Sequence, residues 1–174
     1  MKTSCILLML MFGMSAVACA QVAPMPSHEL TVPNFDDASP ACVVKVPDVN
    51  SQCTPEGCTL PAPVGSTLDS IKLDFSCVPS SAPTGFENPA PDVKVQSLRS
   101  KNASGDISLT DDVYSPPNER FRHLYFCLYG KLNTFCGFAK VMRLEDRTKV
   151  DGTRTVKAFL QGIELQEPWT KNGR

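Results

Sequence analysis

The chain is poor in the side chains on which most enzymes depend. Only two histidines, His28 and His123, and one tryptophan, Trp169, occur in 174 residues. No Gly-x-Ser-x-Gly elbow, His-Glu-x-x-His helix or phosphate-binding loop is present. Asp111 and Asp112 adjoin, but neighbours on a strand point to opposite faces and so make a poor acid–base pair. Internal repeats are absent, which excludes a solenoid. No segment beyond the first twenty residues is long and apolar enough to span a bilayer as a helix. The net charge is −1, without the clustered basic excess that marks a nucleic-acid binder. Cys53-x4-Cys58 has neither a second close pair nor a matching histidine pair, so no metal is expected. No cofactor motif is present either.

What is there begins with an export signal. Met1-Lys2-Thr3 supplies a short basic start, Cys5 to Phe12 is unbroken apolar sequence, and Gly13 to Ala20 carries no charge. Ala18-Cys19-Ala20 offers small residues where a signal peptidase reads them, so residues 1–20 are expected to leave by cleavage before Gln21. Within the same stretch, Ala16-Val17-Ala18-Cys19 resembles the lipobox of bacterial lipoproteins, although Leu is usual where Ala16 stands. That resemblance implies cleavage before Cys19 and acylation of Cys19, an anchor that holds without spanning. Two fates therefore stand open: a periplasmic or secreted protein, or an outer-membrane lipoprotein that meets the membrane only through lipid on Cys19.

Cysteine arithmetic agrees with export. Of eight cysteines, Cys5 leaves with the leader and Cys19 is removed or lipidated. Cys42, Cys53, Cys58, Cys77, Cys127 and Cys136 remain, an even number that reads as three disulfides in an oxidising compartment. Removing 20 residues from 174 leaves 154, the size of one domain. Residues 21–40, with four prolines and Asp36-Asp37, read as a flexible arm or tether with one edge strand at Glu29 to Val32. Residues 41–168 form a single β-rich domain, and 169–174 a tail. Charge is split: Gln21 to Val113 carries five Lys/Arg against twelve Asp/Glu, and Tyr114 onward carries eleven against six.

The strand signals are strong. Cys42 to Val46 is a β-branched run. Thr67 to Val78 alternates, with Ile71, Leu73, Phe75 and Cys77 on one face and Lys72, Asp74 and Ser76 on the other. Pro79 to Pro91 is a proline-rich loop. Shorter strands are expected at Val93 to Leu98 and Ile107 to Leu109. Three long segments, Arg120 to Tyr129, Thr134 to Leu144 and Thr153 to Leu165, read as an antiparallel meander. The expected fold is all-β: a disulfide-stapled antiparallel sandwich or partly open barrel. It has a Pro-rich irregular first half and a C-terminal three-stranded meander.

The hairpin can be set in register. With Gly130 to Asn133 as loop, opposed residues have numbers summing to 263, and Cys127 falls opposite Cys136. Closing that span stabilises by roughly 2.7 kcal/mol in the chain-entropy treatment. Cys53 and Cys58 flank a Pro-Glu-Gly turn, and Cys42–Cys77 nests around them. One hairpin face then collects Leu124, Phe126, Leu128, Phe135, Ala139 and Val141, a core face. The other carries Phe121, His123, Tyr125, Tyr129, Thr134, Phe138 and Lys140.

Aromatic, basic and hydroxyl groups together suit recognition, because tyrosine gives large contact area at low entropic cost. His123, Tyr125, Tyr129, Phe138 and Lys140 are accordingly the expected binding residues. The partner is a protein or other envelope macromolecule and not nucleic acid. The chain reads as an exported, non-catalytic binder, inhibitor- or immunity-like. The alternatives are a small hydrolase using His123 and a structural envelope component. Asn102-Ala103-Ser104 has the form of a glycosylation sequon, meaningful only in a eukaryote.

Overall fold

Strands form where β-branched and aromatic residues alternate with polar ones, and they sort into two antiparallel sheets. A computed structural model describes residues 26–36, 39–48, 51–87, 89–90, 93–145 and 150–166. The expected leader 1–20, with the lipobox-like residues 16–19, lies outside these residues, as do Trp169 and the expected tail.

The smaller sheet has the order β1-β2-β10, from Ser27–Val32, Cys42–Pro47 and Glu164–Gln166. The larger has the order β3-β4-β5-β9-β8-β7-β6. Its strands are β3 (Gln52–Thr54), β4 (Gly57–Pro61), β5 (Ser70–Pro79), β6 (Lys94–Arg99), β7 (Ser104–Asp111), β8 (Phe121–Tyr129) and β9 (Asn133–Arg143). The sheets do not close into a barrel, so the fold is a mostly-β sandwich. Val32, Val44 and Val46 of the small sheet join Ile71, Leu73, Leu124, Phe126, Leu128, Phe135 and Ala139 of the large one in a single buried core.

Two sequence expectations need correction. Thr153 to Leu165 is not the third strand of a meander. Thr153–Gln161 is a helix, α1, and the chain then forms β10 against β2. The helical signal was present: Val156, Phe159, Leu160 and Ile163 recur at helix spacing and are all buried. The Asp151 carboxylate accepts the Thr153 backbone N–H at 2.7 Å, an Asx turn that leads the chain into the helix through Gly152 at the N-cap. The second correction concerns the arm. Ser27–Val32 pairs along its whole length with β2, and Leu30, Val32 and Asn34 are buried. This part of residues 21–40 belongs to the domain. Asn34 Nδ2 donates to the Pro40 carbonyl at 3.1 Å and to Asn133 Oδ1 at 3.2 Å. Asn133 Nδ2 in turn donates to Pro40 at 2.8 Å, so the two buried amides satisfy each other and the chain.

All three expected disulfides form: Cys42–Cys77, Cys53–Cys58 and Cys127–Cys136. The first ties β2 of one sheet to β5 of the other. The last joins directly opposed residues whose Cα atoms are 4.1 Å apart, nearer than in an ordinary hydrogen-bonded pair at about 5.5 Å. Three disulfides are the mark of a protein that folds outside the reducing cytosol. Among the described residues, no helix is long and apolar enough to cross a membrane.

Candidate recognition face

The register of β8 and β9 fixes what the outer face of the large sheet presents. Pairs summing to 263 run from Tyr129 opposite Thr134 to His123 opposite Lys140. A register shift then follows between Arg122 and His123, so that Arg122 meets Met142 and Phe121 meets Arg143. Val141 is the extra residue on β9. Its free carbonyl accepts the Gly152 N–H at 2.8 Å, so the lead-in to α1 satisfies the bulge. On a regular strand, residues 140 and 143 would point to opposite faces. The bulge re-aims the chain, and Lys140 and Arg143 both come to the outer face.

Phe121 is what they meet there. Lys140 Nζ lies 4.7 Å from the Phe121 ring centre and the Arg143 guanidinium 5.0 Å from it, both within cation–π reach. Two residues from Lys140 along β9, Phe138 opposes Tyr125, the rings stacked at 6.1 Å and 28°. Tyr125 and Phe138 remain 41% and 38% exposed, a large apolar ridge in water. On β5, Asp74 pairs with Phe138, and by alternation Lys72 stands on the same face beside Lys140. A groove of about 570 Å³ opens here, between the Thr67–Ser70 segment and the side chains of Phe121, Phe138, Lys140 and Arg143. A second, of about 280 Å³, lies on the other side of the ridge, between the Cys127–Cys136 bridge and the Pro83–Phe86 loop.

That loop is itself ordered by local chemistry. The Glu87 carboxylate accepts the Thr84 and Gly85 N–H groups and the Thr84 hydroxyl, each at 2.9 Å. These bonds pull its pKa down to about 2. Gly85 supplies the left-handed turn at φ 84°. The described Pro83–Phe86 part of the loop thus lies on the disulfide side of the ridge, and Lys140 lies in the groove on its other side.

Of the five expected binding residues, four gather and one stands apart. Tyr125 and Phe138 form the ridge, and Lys140 stands beside it. The His123 ring is 6.2 Å from that of Tyr125, with Nδ1 3.4 Å from the Tyr125 hydroxyl. His123 is only half-buried, yet its Nε2 is enclosed without a hydrogen-bond partner. Burial, and then the Lys140 charge, hold its pKa below the ordinary 6.5, while Asp112 pulls weakly the other way. Its nearest hydrogen-bonding neighbour is a phenol rather than the orienting carboxylate a histidine base requires. Tyr129 sits at the far end, donating to the Asp106 carboxylate at 2.7 Å. Burial, with that bond, lifts its pKa to about 12.

Arg143, Lys72 and Asp74 also line the groove. Arg143 was beyond the reach of sequence reasoning because strand alternation puts it on the wrong face until the bulge is known. Lys72 and Asp74 were assignable to a polar face of β5, but nothing in the sequence says that β5 lies next to β9.

No family model, curated protein or solved structure matches the chain.

Proposed function

We propose that this is an exported, non-catalytic protein that binds another macromolecule through the open end of the large sheet's outer face. The observation that carries the reading is the Tyr125–Phe138 ridge. Two stacked aromatic rings stay more than a third exposed although the sheet's inner face already supplies a complete core. Exposed aromatics on a rigid scaffold are the usual anchors of binding energy. The flanking Lys140, Arg143 and Lys72 add the polar rim expected of an interface. The leader sequence and disulfides support action outside the cytosol, in the periplasm, at the envelope through lipid on Cys19, or in the medium. An inhibitor- or immunity-type role fits a small rigid binder of this kind.

The test is capture from the native host with quantitative mass spectrometry, comparing the wild type with Tyr125→Ala and Phe138→Ala. Each substitution should weaken capture of the specific partner by about 1–2 kcal/mol and leave the melting temperature nearly unchanged. Should both variants unfold, the ridge is part of the core and the binding reading is lost.

A further inference from the structure

The groove beside Phe121 gathers three cations, Lys72, Lys140 and Arg143, of which Arg143 also donates from Nη1 to the Asn118 carbonyl at 3.2 Å. Lys140 and Arg143 share one aromatic ring, at 4.7 and 5.0 Å, and Lys72, one residue beyond the Leu73–Ala139 pair, lines the same groove. Like charges side by side on neighbouring strands destabilise a sheet. Among the described residues, none of the three cations has a carboxylate within 4.0 Å; the ion pairs that form belong to Arg120 and Arg122. The juxtaposition is also constructed rather than incidental. It exists only because the β9 bulge brings Arg143 round to the face of Lys140, and bulges gather where a side chain must be re-aimed.

We infer that this groove docks an acidic segment of a partner protein, taking a carboxylate among Lys72, Lys140 and Arg143 and an adjacent apolar side chain against Phe121 and Phe138. This rests on the binding role proposed for the face and names the partner's chemistry. Two features favour a peptide over a uniformly anionic polymer. Asp69 and Asp74 line the same groove and would repel an unbroken row of negative charge. Leu68 and the two phenylalanines supply an apolar wall that suits a hydrophobic residue beside the acid. Charge complementarity of this sort steers encounter and selects partners.

The test is selection from a random peptide library displayed on phage, with the folded chain as target. Recovered peptides are re-measured by fluorescence anisotropy against Lys140→Glu, Arg143→Glu and Lys72→Glu, and against the milder Lys140→Gln and Arg143→Gln. Circular dichroism confirms that each variant is folded. The expected result is enrichment of Asp or Glu next to Phe, Leu or Tyr. Affinity should fall about tenfold or more in the Glu variants, less in the Gln variants, and with rising salt. Enrichment of sequences without acids, or affinity indifferent to all five substitutions, overturns the acidic assignment. The binding face itself survives if Tyr125→Ala still weakens the same peptides. No enrichment, preferential binding of an oligogalacturonate tested alongside, or concentration-dependent self-association abolished by Lys140→Glu also overturns it.

Discussion

At the scale of single residues, His123 and Asn102 carry the most specific consequences. His123 is held below its ordinary pKa by burial first and by Lys140 second. The unfolded chain therefore takes up that proton more readily than the folded one. The linked stability is complete above pH 6.5 and is lost as pH falls below it, through the folded-state pKa. Replacing Lys140 by Met removes the repulsion and keeps the burial. The NMR titration midpoint of His123 should then move upward and the pH-sensitive window narrow. An unchanged midpoint would show that the two side chains do not feel each other. Asn102, read from sequence as part of a sequon, has a different use. Its Nδ2 donates to the Leu165 carbonyl at 2.7 Å and its Oδ1 accepts the Leu165 N–H at 2.9 Å. One amide side chain thereby extends β10 as a further strand would. Asn102→Ala should cost about 1 kcal/mol in urea denaturation, with hydrogen exchange at Leu165 accelerated most.

At the scale of elements, β9 and α1 are the instructive pair. Gly137 lies between Phe126 and Phe75 in the ladder. A Cβ there would come within 2.2 Å of the Asp74 carbonyl oxygen and 2.8 Å of the Phe126 ring. Gly137→Ala should therefore destabilise by roughly 1–3 kcal/mol through overpacking, measured by thermal melting, with Phe126 forced from its place. For α1, the Asp151 carboxylate both accepts from Thr153 and pairs with Arg122 at 3.1 Å. Asp151→Ala should cost about 1 kcal/mol through the lost hydrogen bonds and selectively expose the amides at the start of α1 to exchange.

These two elements also mark where sequence reasoning succeeds and fails. The hairpin register from Tyr129–Thr134 to His123–Lys140, the disulfide within it and the core face were legible because period-two alternation and the loop length fix those pairings at once. The bulge at Val141 was not, since it depends on α1 offering the Gly152 N–H to the freed carbonyl. The helix was missed because Thr153, Thr155 and Val156 favour strands locally, and the 3.6-residue spacing becomes decisive only when a sheet lies beneath it to bury Val156, Phe159, Leu160 and Ile163. The ridge of Tyr125 and Phe138 followed from the register. The cations around Phe121 required the bulge.

At the scale of the whole molecule, the two sheets are joined by one kind of covalent link. Cys42–Cys77 is the bridge that crosses between them, whereas Cys53–Cys58 and Cys127–Cys136 each staple a hairpin within the larger sheet. In the chain-entropy treatment the crossing bridge stabilises by roughly 3.8 kcal/mol and the six-residue Cys53–Cys58 loop by roughly 2.2 kcal/mol. The double substitution of Cys42 and Cys77 by Ala should therefore lower the denaturation midpoint further than that of Cys53 and Cys58. Equal losses would show that the crossing bridge adds nothing beyond local constraint. The small sheet has a mechanical meaning as well. β1 and β10 flank β2 and run in the same direction, each antiparallel to it. A pull between Ser27 and Gln166 drags the two outer strands in opposite senses along the middle one. Every hydrogen bond of both ladders is then loaded together instead of parting in sequence, while the bridge from β2 to β5 holds the middle strand to the larger sheet. Tension between the two ends of this domain meets a stiff clamp, one that yields abruptly at high force rather than peeling at low force.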